Sequence, residues 1–466
     1  MSKKFLILLL LFCLWVARDL FRPEFFQTHD ALYHVVRLDQ FHQALVGGQF
    51  PVRWAPTLLN GLGYPLFIVN YHLPYYLAET FHLIGLSLFD SVKAVFILSL
   101  TLSSLSAFWL FYSWTKNNLA ALLGAIFFIL APYRLANIFE RGALGEAVAY
   151  IFVPLVFLGL DKLKLGKTLP SIFSLSGLIL SHTVVLLSFV PVFFLYTLIL
   201  VRPKLKSLIF SGLAVFGLTA FQMFPVFFER HYLKFDANLL TAYQDHFKNL
   251  YQLLRIPHEG INLGTRFQIG LTHTLVWIIG LFFLKNKKLF FFALIVLLGL
   301  FLITPASQPA WQNLPLVKMI LYPWRFLGVI AFATSAITAL LLSSLNRSYL
   351  FLVSCFLFFV VLFTTRHYTR VDRFIAPIFP QELLSGNGTT QNEFDPIWLK
   401  PEALVQTHDP SVKLYFPGWS GTPDFQGLVS VKPGTQFQET PIRNLGNWLS
   451  LLSLVSIIIY SLVKHK

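Results

Sequence analysis

The chain has 466 residues, of which 56% are hydrophobic and only 12% charged. Soluble domains carry roughly 25% charged residues, and apolar runs of about 16–22 residues, each long enough to cross a hydrocarbon core, recur here from end to end, so a soluble globular protein is excluded. The net charge of +15 does not mark a nucleic-acid binder, because most lysines lie in short clusters between apolar runs, where they encode membrane topology.

Met1-Ser2-Lys3-Lys4 opens an apolar stretch. It is read as the start of an uncleaved first helix over 5–20, because Ala17-Arg18-Asp19 does not form a small-x-small cleavage site. Further helices are expected over 92–113, 119–135, 145–161, 169–183, 184–201, 207–224, 267–284, 289–304, 324–344, 349–364 and 446–463. The apolar stretch 169–201 is too long for one span and is broken at Ser181-His182 as a tight hairpin. Cys13 and Cys355 both fall inside apolar runs, which argues against a disulfide framework or a thiolate metal site.

With Lys3 and Lys4 in the cytoplasm, Lys116, the clusters at 162–167, 202–206 and 285–288, Arg347, Lys464 and Lys466 all fall inside. Both termini are then cytoplasmic, in the plasma membrane. This requires 71–89, which carries His72, Glu79 and His82, to lie in the interface; if it crosses, everything after it inverts. The expected fold is an all-α polytopic membrane protein of about a dozen transmembrane helices, with a large extracytoplasmic loop over 21–91. A transmembrane domain covers 1–364, a small β-rich extracytoplasmic segment 365–445, and a last helix with a cytoplasmic tail 446–466.

In the first outside loop Thr28 suits the N-cap of a helix running to about Val46. Asp30, His34 and Arg37 share one face of it. An acid beside an imidazole suits general-base work or a metal-ligand pair; an ordinary solvated face fits the spacing too. Arg53-Trp54 and His72 follow in a Gly- and Pro-rich stretch that would fold against the membrane, with Arg53 able to meet a lipid headgroup and the aromatics serving as anchors. Arg141 and Glu146 stand at the entrance of a helix. Glu146 gains there from the macrodipole, or both face a cavity, since charges at membrane depth are costly. His182 sits at the hairpin tip, as a packing residue or a ligand. Arg325, in YPWRF, suits a phosphate or snorkels to the interface. Arg255, His258 and Arg266 add titratable groups without a recognisable spacing. No P-loop, HExxH, GxSxG, CxxC or βαβ-type GxGxxG is present, so nucleotide- and thiol-based mechanisms find no support.

HDALYHVVRL (29–38), GGQFPVRWAPTLLNGLGYPLF (47–67), ERGALGEAVA (140–149), SHT (181–183) and YPWRF (322–326) occur in that order, followed by LYFPGW (414–419) and ETPIRNLGNWLSLLSLV (439–455). With these the chain resembles the bacterial and archaeal membrane proteins named for a 6-pyruvoyl-tetrahydropterin synthase related domain, grouped with the GT-C superfamily of polyprenyl-phosphate-sugar-dependent glycosyltransferases. The resemblance implies transfer of a sugar from a polyprenyl-phosphate carrier to a cell-envelope acceptor at the extracytoplasmic face. It implies that Asp30, an acidic residue of the first loop, is the catalytic base or metal-linked acid; as base it would deprotonate the acceptor hydroxyl, with His34 orienting it or tuning its acidity. Arg37, Arg53, His72, Arg141, Glu146, His182 and Arg325 would line the substrate, the arginines 141 and 325 at the lipid phosphate. The first loop has no Asp-x-Asp or Glu-Asp pair, so a divalent metal is left open. The rival expectations are a lipid or polysaccharide transporter, or a non-catalytic scaffold of the same fold.

Overall fold

The computed structural model describes residues 2–234, 239–254, 267–389, 394–400, 409, 411–432 and 434–464. Arg255, His258 and Arg266 lie outside the described residues. Each expected helix forms. They are α1 (Lys3–Val16), α4 (Leu88–Thr115), α5 (Asn118–Leu130), α7 (Leu144–Leu163), α8 (Leu169–Ser181), α9 (Thr183–Tyr196), α10 (Leu205–Phe228), α11 (Leu271–Gly280), α12 (Lys287–Ile303), α13 (Leu327–Ser343), α14 (Arg347–Thr365) and α15 (Pro441–Lys464). Three more complete this set: α2 (Ala31–Val46), α3 (Leu73–Leu83) and α6 (Pro132–Phe139).

Of the described helices, seven are long and apolar enough to span a membrane, and nine if two bent pairs are each one span. The other three expected spans are short: α1 has 14 residues, α8 has 13, and α11 with the turn after it, Leu271–Phe283, has 13. At 1.5 Å per residue such helices reach only about 20 Å, so length alone does not carry them across. The α3 helix, 11 residues long, is shorter still.

Two sequence breaks shape the helices. Ala131 precedes Pro132 and takes an extended conformation (ψ 125°), as the proline ring imposes on its predecessor. The helix expected over 119–135 therefore stops at Leu130 and restarts as α6, bent by 47°. His182 is likewise extended, and its Nδ1 accepts the Val185 N–H at 3.2 Å, capping α9.

The chain divides into two compact units. The first is Met1–Ala31, Lys93–Ile209 and Asn238–Ala376; the second is Leu32–Val92, Phe210–Ala237 and Pro377–Lys466. The core of the first unit is aromatic. Phe157 and Phe332 stack at 4.7 Å, with Phe128, Phe189 and Phe292 edge-on to Phe332. Close backbone approach joins α7 to α8, where a Cβ at Gly159 would lie 2.7 Å from the Ser171 backbone; small residues let membrane helices pack this way. A two-residue antiparallel pair, β1 (Phe25–Phe26) with β2 (Phe374–Ile375), closes this unit.

In the second unit Arg443, fully buried, pairs with Glu229 at 2.7 Å, and Trp54 stacks on Phe437 at 4.8 Å. The alternating run Val412–Phe416 supplies β3 (Val412–Leu414), antiparallel to β4 (Leu428–Ser430). The C-terminal β structure is thus small, and the remainder of its described backbone is mostly irregular.

Candidate functional site

The site is built in the first unit, where the start of α2 meets the turn between α6 and α7. The Asp30 N–H donates to the Arg141 carbonyl at 2.8 Å, and the His29 N–H to the Glu140 carbonyl at 3.1 Å. The Thr28 hydroxyl accepts the Ala31 N–H at 3.1 Å. Gly142 makes this possible. It holds φ +69°, and a Cβ there would fall 2.2 Å from Thr28 Oγ1 and 2.9 Å from the Ala31 nitrogen, so only glycine fits. The HD of the first loop and the ERG of the second are therefore strapped together, and Asp30 is left half-buried beside Arg141.

Glu146, buried in the first turn of α7, is the hub. Its Oε1 accepts from Arg141 at 2.9 Å and lies 3.6 Å from Arg325 Nε. Its Oε2 accepts from Asn137 at 2.9 Å and from the Tyr133 hydroxyl at 3.1 Å. Asn137 in turn accepts from Arg141 at 2.6 Å. Two guanidinium groups thus share one buried carboxylate. Burial works against the charged form of Arg141, but Glu146, Tyr133 and Asp30 more than offset it, and its pKa lies above the ordinary value.

Trp324 forms the aromatic wall. The Arg141 guanidinium lies 4.8 Å over its ring, Phe267 stacks on it at 4.0 Å and Tyr322 at 5.0 Å. Arg325 donates to the Ile320 carbonyl at 2.8 Å. Its Nε and the Trp324 indole N–H are both buried without a hydrogen-bond acceptor. A buried donor left unmade costs about 1–3 kcal/mol. Beyond them Glu146, Tyr150, Ser188, Phe189 and Arg325 line a recess too narrow for a water molecule.

Of the expected site residues, the first unit therefore brings together Asp30, Arg141, Glu146 and Arg325, and it also holds His182, whose Nδ1 caps α9. The second unit holds His34, Arg37, Arg53 and His72 in contacts of its own. His34 Nδ1 lies 2.9 Å from the Tyr75 hydroxyl, and Arg37 donates to the Gly388 carbonyl at 2.7 Å. Arg53 pairs with Glu439 at 3.0 Å and donates to the Phe221 carbonyl and Asn447. His72 donates from Nε2 to the Val52 carbonyl at 2.8 Å. Tyr133, Asn137 and Trp324 were not singled out in the sequence. Tyr133, Asn137 and Arg141 are spaced i, i+4, i+8, a line along one helical face, and that spacing was the available signal. Among the described residues no group of three or more His, Cys, Asp or Glu side chains is arranged to hold a metal ion, and both Glu146 oxygens are already engaged, so no step below runs through a metal.

Residues 69–371 match the family described as 6-pyruvoyl-tetrahydropterin synthase related domain, membrane protein. An uncharacterized protein of Lactococcus lactis subsp. cremoris (strain MG1363) is 28% identical over 242 residues, 48% of this chain and 39% of that protein. Among solved structures, the arabinofuranosyltransferase AftD from Mycobacteria matches over 80% of this chain and 27% of its own, at 13% identity and a TM-score of 0.50. This chain thus spans well under half the length of either protein, and the structural likeness concerns the fold. The family match covers more than half of the chain: it belongs to the 6-pyruvoyl-tetrahydropterin synthase related membrane-protein family, on a mostly helical membrane-protein fold like that of AftD.

Proposed function

We propose that the chain is a membrane glycosyltransferase that moves a sugar from a polyprenyl-phosphate carrier to a hydroxyl of a cell-envelope acceptor. The observation that carries this reading is the grouping in one unit of a half-buried carboxylate, Asp30, with two guanidiniums and two unsatisfied buried donors. Asp30 takes the proton of the acceptor hydroxyl as its oxygen bonds to the anomeric carbon. The bond from that carbon to the phosphate oxygen breaks, and the phosphate leaves with the electron pair. Arg325 Nε, the Trp324 N–H and Arg141 neutralise the charge that develops there. Glu146 keeps the two guanidiniums from repelling each other.

Binding of polyprenyl phosphate to the purified protein in nanodiscs tests the assignment. Arg325→Ala removes a charged donor worth roughly 1.5–3 kcal/mol, so affinity should fall by tenfold or more. Asp30→Asn should bind as the wild type does. Equal binding by Arg325→Ala and wild type would remove Arg325 from the phosphate.

A further inference from the structure

A second group of arginines belongs to the first unit. The C-terminal ends of α1 and α14 border an open groove of about 430 Å³. Phe12 and Phe358, edge-on at 5.9 Å, join the two helices. The groove walls include Trp15, Phe359 and Phe363, which are 41%, 65% and 65% exposed. Arg18, Arg366 and Arg370 line it as well, the first half-buried and the other two exposed. The span that contains α14 has only 22% of its most apolar stretch buried, so most of its surface is left to hydrocarbon.

Two of these arginines have an ordinary duty. Arg18 Nη1 donates to the Trp15 carbonyl at 2.9 Å and Arg366 Nη1 to the Phe363 carbonyl at 2.6 Å, so each satisfies a carbonyl at a helix end. Their guanidiniums lie 4.7 Å over the Trp15 ring and 4.1 Å over the Phe363 ring, which ties each cation to an apolar wall. Capping uses little of their capacity, because a guanidinium carries several N–H donors. It also leaves the charge unanswered. Among the described residues none of the three arginines forms an ion pair with a carboxylate. Residues 18–24 and 366–373 together hold five arginines against Asp19, Glu24 and Asp372. Asp19 is buried and accepts the Val371 N–H at 3.1 Å. Burial lowers the Arg18 pKa; Asp19 opposes that and Arg370 adds to it, so Arg18 and Arg370 are near enough to repel. On the topology that the lysine clusters imply, these helix ends are extracytoplasmic, where the charge bias of membrane loops does not call for arginine.

We propose that this groove binds an anionic glycerophospholipid of the surrounding bilayer, its phosphodiester held among Arg18, Arg366 and Arg370 and an acyl chain laid along Phe359 and Phe363. A guanidinium fork meets phosphate oxygens two at a time, and the anion relieves the repulsion among the three cations. A zwitterionic lipid brings the same diester with a cation attached, which the arginines disfavour. The proposal stands whether or not the unit transfers sugar.

The test uses the purified full chain in bilayer nanodiscs made from phosphatidylglycerol and phosphatidylcholine. Each lipid in turn carries brominated acyl chains, which quench a tryptophan in contact with them. Trp15 is the reporter, and subtracting the signal of Trp15→Phe isolates it. Brominated phosphatidylglycerol should quench Trp15 at about fivefold lower mole fraction than brominated phosphatidylcholine, the ratio that one surface arginine gives at an anionic headgroup. Arg366→Gln combined with Arg370→Gln should bring the two lipids level. The lipid comparison is made on a chain with all its arginines, so it decides the matter even if the double variant does not fold. Equal quenching of Trp15 by the two lipids would overturn the proposal, as would a folded double variant that keeps the preference. Relief of the phosphatidylglycerol quenching by a small mole fraction of polyprenyl phosphate would overturn it too, by giving the groove to that lipid instead.

Discussion

Glu146 is the residue on which the first unit's charges depend. Glu146→Gln would leave two largely buried guanidiniums without the carboxylate they share, and breaking a buried pair this way costs about 3–5 kcal/mol. Thermal unfolding in detergent should show that loss. Gly328 is a quieter dependence. A Cβ there would lie 1.9 Å from the Tyr150 hydroxyl and 3.3 Å from the Tyr133 ring. Gly328→Ala must push aside Tyr150, a residue that lines the recess, and overpacking of this kind costs about 1–3 kcal/mol. In the second unit His72 is held near a pKa of about 4 by burial and then by the Arg53 cation. A depressed histidine contributes its full share above the ordinary value of 6.5, and that share is lost as pH falls from there toward 4. The loss amounts to about 3 kcal/mol. Melting temperatures of the wild type should fall across that window, and His72→Gln should flatten the slope. Arg141, Glu146 and Arg325 were legible in the sequence because charge at membrane depth is costly and must be answered. Tyr133, Asn137 and Trp324 were not, because aromatics and amides are ordinary at such depths and only the fold turns these three inward.

Helices were legible as elements because each is a run of apolar residues bounded by Lys, Asn, Pro or Gly. The helix break at Ser181-His182 was legible from length alone, since 169–201 cannot be one span. The break at Pro132 was passed over: the apolar run continues through it, and only the steric demand on Ala131 stops α5. That break turns α6 so that Tyr133 and Asn137 reach Glu146. The strap between the HD and ERG segments is the other element-scale device, and no periodicity foretells it, because it joins residues far apart in sequence. Gly142→Ala tests it. The added methyl meets Thr28 Oγ1 at 2.2 Å and the backbone must leave φ +69°, so Asp30 shifts from Arg141. Sugar transfer should fall by about 10²-fold, with a smaller effect on melting. Unchanged transfer would mean that the strap does not position Asp30.

At the scale of the whole molecule, the lysine clusters predict which ends of the helices face the cytoplasm, and the proposed chemistry belongs on the opposite face. In a chain lacking Cys13 and Cys355, Lys164→Cys should be shielded from an impermeant maleimide added to intact cells, and Val46→Cys should react. Both positions are exposed on the protein surface. The reverse pattern would invert the topology. The central claim is that the first unit transfers sugar with Asp30 as base, and turnover of a polyprenyl-phosphate-linked sugar by wild type and Asp30→Asn measures it most directly. Asp30→Asn keeps the shape of the side chain and removes the base, so the wild type should consume donor and the variant should be slower by about 10²–10⁴-fold, with donor affinity preserved. A wild type that consumes no polyprenyl-phosphate sugar, or an Asp30→Asn variant that transfers at the wild-type rate, would contradict it.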